Sequence, residues 1–68
     1  MNVIDVLNER INERGIPVSE LSRRVAMNDE LLRRSLTGNR NLKAVEFVAI
    51  CKELELDIDD FADAEVGT

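Results

Sequence analysis

The 68-residue sequence contains no histidine, tryptophan or tyrosine, a single cysteine (Cys51), a single proline (Pro17) and only three glycines. Each shortage removes a class of function. Without histidine, the commonest metal ligand and the commonest general base are missing. One thiol can neither close an internal disulfide nor build a cysteine-based metal site. There is no glycine-rich phosphate loop and no nucleophile–base pair, so the chain is not expected to be an enzyme or to need a metal or cofactor. No apolar run approaches the roughly 20 residues of a membrane span. Met1 is not followed by a basic start and a signal-peptide core. The expectation is a cytoplasmic chain with neither a membrane nor a small-molecule substrate as partner.

Hydrophobic residues make up 44% of the chain but aromatics only 3%, so the core must be aliphatic, with Phe47 and Phe61 as its two rings. Charged residues reach 34%, yet apolar positions recur throughout, which separates the chain from disordered sequences. This length makes one domain, with an expected stability of about 3–10 kcal/mol. The net charge is −5, which on its face disfavours a nucleic-acid partner. Its distribution points the other way. Residues 18–43 carry six basic and three acidic side chains, whereas residues 53–68 carry seven acidic and no basic ones. Local charge decides where a polyanion docks.

Periodicity predicts an all-α bundle of five short helices. The first runs from about Val3 to Arg14, with Val3, Ile4, Val6, Leu7 and Ile11 on one face, Asn2 as N-cap and Gly15 as a left-handed stop. Pro17 permits a fresh start, and a second helix is expected over about 18–25 with Leu21 and Val25 inward. After the break Ala26-Met27-Asn28, a third helix is expected over about 29–37, capped by Asn28 and ended by Gly38. Leu32 and Leu36 form its inner stripe, so Glu30, Arg33, Arg34 and Thr37 point outward. The fourth helix, from about Lys43 to Glu53 or Leu54, is apolar on most sides and is predicted to be the most buried. Asp57 should cap a short fifth helix anchored by Phe61. The domain is expected over 1–62, with 63–68 a frayed acidic tail or the start of a linker.

Two short helices joined by a three-residue break, the second with a polar outer face, form the outline of a helix-turn-helix. The first helix braces the second, which is narrow enough for a major groove about 12 Å wide. The stretch PVSELSRRVAMNDELLRRSLT, from Pro17 to Thr37, resembles the helix-turn-helix of the lambda-repressor-like, Cro-type family. Ser22 matches that family's small residue on its second helix, Leu21 and Val25 the apolar pair around it, and Leu32 the aliphatic residue inside the recognition helix. Leu36-Thr37-Gly38-Asn39-Arg40-Asn41 and the closing Leu54 and Asp57–Phe61 are similar as well, and the resemblance runs from about Val3 to Ala62. The chain departs from the pattern at Val18, where glutamine is common, at Ala26, where glycine is usual, and at Asp29 and Glu30, which open the third helix.

The resemblance implies a bacterial or bacteriophage transcription regulator, expected to be a repressor, bound to double-stranded DNA as a homodimer on a two-fold operator. Base contacts are expected from Asn28, Glu30, Arg33 and Arg34. Arginine can bind guanine O6 and N7 with two hydrogen bonds, and a glutamate can accept from cytosine N4. Phosphate contacts are expected from Ser19, Arg23, Thr37, Asn39, Arg40 and Lys43, which would set register without reading sequence. Against these stand blander readings: a solvated helix face with Glu30 and Arg34 in an i,i+4 pair, dipole stabilisation by Asp29, and ordinary loop polarity. Cys51 is expected to be a structural thiol. The alternative function is a protein-interaction module or antirepressor that keeps the fold without binding DNA.

Overall fold

Asn2 opens the first helix through a reciprocal capping box. Its Oδ1 accepts from the Asp5 N–H at 2.9 Å, and Asp5 Oδ2 accepts from the Asn2 N–H at 3.1 Å. The computed structural model describes residues 1–64. It contains α1 (Val3–Arg14), α2 (Val18–Arg24), α3 (Asp29–Leu36) and α4 (Ala44–Leu54), followed by a single 3-10 turn at Ile58–Phe61. The fold is all-helical, with no strand among the described residues. Among the described residues a fifth α-helix does not form: Asp57 caps as expected, but only one tight turn follows. Asp59 and Asp60 make up half of that turn, and aspartate is a weak helix former, so the turn itself adds little helix propensity. Of the predicted tail, Asp63 and Ala64 are non-helical and residues 65–68 lie outside the described set.

The core is aliphatic, as composition required. Leu7, Ile11, Leu21, Leu32, Leu36, Ile50 and Leu54 form its buried cluster. These come as i,i+4 pairs on α1, α3 and α4, which is how a helix presents one stripe. Helix α2 packs chiefly on α3, while α1 touches both α3 and α4. Phe61 reaches back to Phe47 with ring centroids 5.4 Å apart and so anchors the 3-10 turn on α4.

Helix ends fall slightly short of expectation. Val25 is the C-cap of α2, Thr37 that of α3, and Lys43 the N-cap of α4. Nor is α4 the most buried helix. Only Ile50 and Leu54 are buried on it, while Val45 is 72% and Val48 49% exposed. A domain this small has too few neighbouring elements to cover an apolar helix on every side. Two polar ties hold helix ends across the fold. Asn8 Nδ2 donates to the Leu36 carbonyl at 2.9 Å, and Arg10 Nη1 donates to the Leu54 carbonyl at 2.9 Å. Both satisfy carbonyls that a helix C-terminus leaves unpaired.

Ala26, in the break between α2 and α3, has φ 57°. A Cβ in this left-handed region is crowded by its own backbone, at about 1–2 kcal/mol, whereas glycine is free there. Ala26→Gly is therefore expected to stabilise the fold by about 0.5–1 kcal/mol after allowing for the added freedom of the unfolded chain. Chemical denaturation measures this. Destabilisation would mean that the methyl makes contacts worth more than the strain.

Candidate nucleic-acid interface

The outward face of α3 collects the residues singled out for base contact. Asn28 caps the helix: its Oδ1 accepts from the Glu30 N–H at 2.8 Å and the Leu31 N–H at 3.3 Å. Glu30, Arg33, Arg34 and Thr37 are all exposed, as the spacing predicted. The face is less basic than a count of arginines suggests. Arg33 Nε donates to Asp29 Oδ2 at 3.3 Å, and Arg34 Nε donates to Glu30 Oε1 at 3.3 Å. The pair foreseen for Glu30 and Arg34 is thus present, and a second lies beside it. Two cations and two anions leave the face without net charge. The remaining oxygen of Asp29, Oδ1, is buried and has no hydrogen-bond partner among the described residues.

The expected phosphate contacts divide into two groups. Ser19, Asn39 and Lys43 are exposed on α2 and on the two sides of the α3–α4 connection. Arg23 is exposed too, though it is bound to Glu20. Arg24, not singled out from sequence, joins the same Glu20 at 3.3 Å and Glu53 at 3.4 Å. Glu20 is held below the usual carboxylate range by the Arg23 hydrogen bond, against the opposing effect of burial. The Thr37 hydroxyl lies 3.1 Å from the carbonyls of Arg33 and Arg34 and accepts from Asn39 Nδ2 at 3.2 Å. It closes the end of α3.

Arg40 is placed differently from the others. Its Nη1 and Nη2 donate to the two carboxylate oxygens of Glu46 at 3.0 and 3.1 Å, and Nη1 also donates to the Ser35 hydroxyl at 3.0 Å. Only 20% of the Arg40 side chain and 17% of Glu46 is exposed. Glu46 in turn accepts from the Lys43 N–H at 2.9 Å, at the start of α4. This is a bidentate brace from the end of α3 to the start of α4, with its guanidinium turned inward and occupied. The polar run 38–43 gave no sign of it, because the partner lies on the following helix.

The brace carries a pH signature. Glu46 is held below the usual carboxylate range, first by the Arg40 hydrogen bond and then by the Lys43 backbone N–H. A carboxyl whose folded pKa is depressed stabilises fully above its unfolded value, about 4.3, and that contribution is lost as pH falls through the folded value. Arg40→Ala is expected to lower the thermal midpoint more than Arg23→Ala, and to flatten the loss of midpoint below about pH 4.3. It should leave the salt dependence of any DNA binding unchanged. A shallower salt slope with an unaltered midpoint would instead make Arg40 a phosphate ligand.

Elsewhere, chemistry is sparse. The Cys51 thiol is half-buried and its pKa is raised, chiefly by burial and then by Asp60. No cluster of three metal-ligating side chains occurs among the described residues, and no helix there is long and apolar enough to cross a membrane. One apolar groove opens between α4 and the 3-10 turn, lined by Phe47, Val48, Cys51, Leu56, Ile58 and Phe61. Ile58 on its rim is 89% exposed. No family model, curated protein or solved structure matches the chain.

Proposed function

We propose that the protein is a sequence-specific, double-stranded-DNA-binding transcription regulator of the lambda-repressor-like kind, expected to repress, with α2 and α3 as its helix-turn-helix. The observation that carries this reading is the outer face of α3. Arg33 and Arg34 stand there beside Glu30 and the Asn28 cap, bound only to carboxylates of their own helix, while α2 packs against α3. Arg33 and Arg34 read base edges in the major groove. Asn28 and Glu30 flank them, and Ser19, Arg23, Asn39 and Lys43 touch phosphates, with Thr37 holding the turn that presents Asn39. Such a regulator works in the bacterial cytoplasm. If each monomer touches about three to five phosphates, log K falls with log salt at a slope of roughly −3 to −5. Titration of duplex DNA at two salt concentrations measures this slope. A slope near zero, or no binding at low salt, contradicts the proposal.

The protein acts as a homodimer, with half-sites about 34 Å apart on a two-fold operator. The groove between α4 and the 3-10 turn is the surface for the second copy. Lys52 and Asp57 both line it, so a two-fold axis passing between them would set each copy's cation against the other's anion. Burying an exposed isoleucine stabilises an interface by about 1.5–3 kcal/mol, so Ile58→Asp is expected to raise the dimer dissociation constant at least about tenfold. Sedimentation equilibrium reads the change, and an unaltered constant places the dimer surface elsewhere.

One observation favours a second reading, a protein-interaction module or antirepressor that does not bind DNA. Arg23, Arg24, Arg33 and Arg34 are all paired with carboxylates. Loss of a protein partner, rather than of DNA, in the variant lacking Arg33 and Arg34 distinguishes it.

A further inference from the structure

Both arginines of α3 are held by the same edge of the guanidinium. Arg33 and Arg34 each give Nε to a carboxylate one turn earlier, Asp29 and Glu30 respectively. Neither terminal amino group of either arginine donates to another group among the described residues, and the side chains are 54% and 59% exposed. A guanidinium is a rigid planar fork of five donors. When Nε is occupied, the end-on pair Nη1 and Nη2 remains, and these two donors can span O6 and N7 of guanine. The ion pairs are therefore compatible with base contact.

The carboxylates have two physical consequences. A free arginine has many rotamers, and part of that entropy is lost on binding. A side chain already held through Nε has less left to lose. The carboxylates also offset the attraction of each guanidinium for phosphate, the interaction that binds any sequence equally. An unbuttressed arginine pair on this face would bind DNA more tightly and discriminate less.

We infer that Asp29 and Glu30 are positioning residues for base readout. They fix Arg33 and Arg34 through Nε, leave the terminal amines for guanine, and suppress sequence-independent binding. This rests on the reading that α3 enters the major groove.

The test uses Asp29→Asn and Glu30→Gln in the full chain, with Arg33→Ala/Arg34→Ala as reference. The isosteric changes remove charge and leave the Asn28 cap in place. The probe is a pool of duplexes randomised over about two helical turns, followed by titration of the enriched duplex and of the unselected pool. The wild type is expected to enrich guanine at fixed positions. Each single variant should bind the unselected pool more tightly and lose about 3- to 10-fold in the ratio of enriched to unselected affinity, part of the discrimination carried by a bidentate contact. The inference alone is overturned if the wild type enriches guanine through Arg33 and Arg34 but the single variants keep its ratio. The same holds if they tighten on both probes by an equal factor, the outcome of simple repulsion. If the wild type enriches nothing, the reading of α3 fails and the inference falls with it.

Discussion

On the proposed reading of α3, replacing Arg33 and Arg34 together by alanine is expected to remove most of the preference for one duplex sequence over another. Each bidentate arginine–guanine contact discriminates by about 1–3 kcal/mol, so losing both lowers the specificity ratio by roughly 30-fold to 10⁴-fold. Folding should barely change. The side chains are more than half exposed, and each i,i+4 ion pair is worth only about 0.2–0.5 kcal/mol. Fluorescence anisotropy with the preferred duplex and a scrambled one measures the ratio, and a thermal melt confirms the fold. A variant that keeps its preference would show that sequence is read elsewhere.

Leu32→Ala is expected to have the largest effect on stability. Leu32 is fully buried in α3 and belongs to the single core cluster. Truncating such a leucine costs about 2–5 kcal/mol, through lost transfer energy and the cavity left behind. Against a total of about 3–10 kcal/mol for a chain of this length, that is enough to unfold a substantial fraction near physiological temperature. DNA binding would then be lost with the fold. Leu32→Met, which conserves volume, should cost less than about 1.5 kcal/mol and keep binding. Denaturant midpoints separate the two. A cost below about 1 kcal/mol for the alanine variant would mean that α3 is not anchored through this position.

Much of the fold was legible in the sequence because local rules and the tertiary structure agree. The Asn2 and Asn28 caps, the left-handed Gly15 and the inward pairs Leu7/Ile11 and Leu32/Leu36 all lie where spacing puts them. What was not legible needed distant partners. Arg40 reads as a loop cation until Glu46, on the next helix, is seen to bind both its terminal amino groups. The apolar α4 reads as a central helix, but pattern alone cannot tell a buried helix from one whose second face awaits another surface. The expected fifth helix is only a 3-10 turn at Ile58–Phe61 among the described residues, since a well-capped turn does not guarantee propagation.

The candidate site was legible as a set of residues but not as an electrostatic surface. Helical spacing places Glu30, Arg33 and Arg34 on one outward face, and they are exposed there. The count of basic side chains between residues 18 and 43 overstated their availability. Arg23, Arg24, Arg33 and Arg34 are each engaged with an acid, and Arg40 is turned into the fold. Charge sums ignore pairing, and pairing decides how strongly such a face attracts phosphate.

The most direct measurement is amide NMR of the labelled protein during titration with its preferred duplex. Shift changes are expected along α3 and its flanks, at Asn28, Glu30, Arg33 and Arg34 and from Thr37 to Asn39, and in the first turn of α2 at Ser19. Changes confined to α4 and the 3-10 turn, or no change on adding duplex at low salt, would contradict a major-groove role for α3.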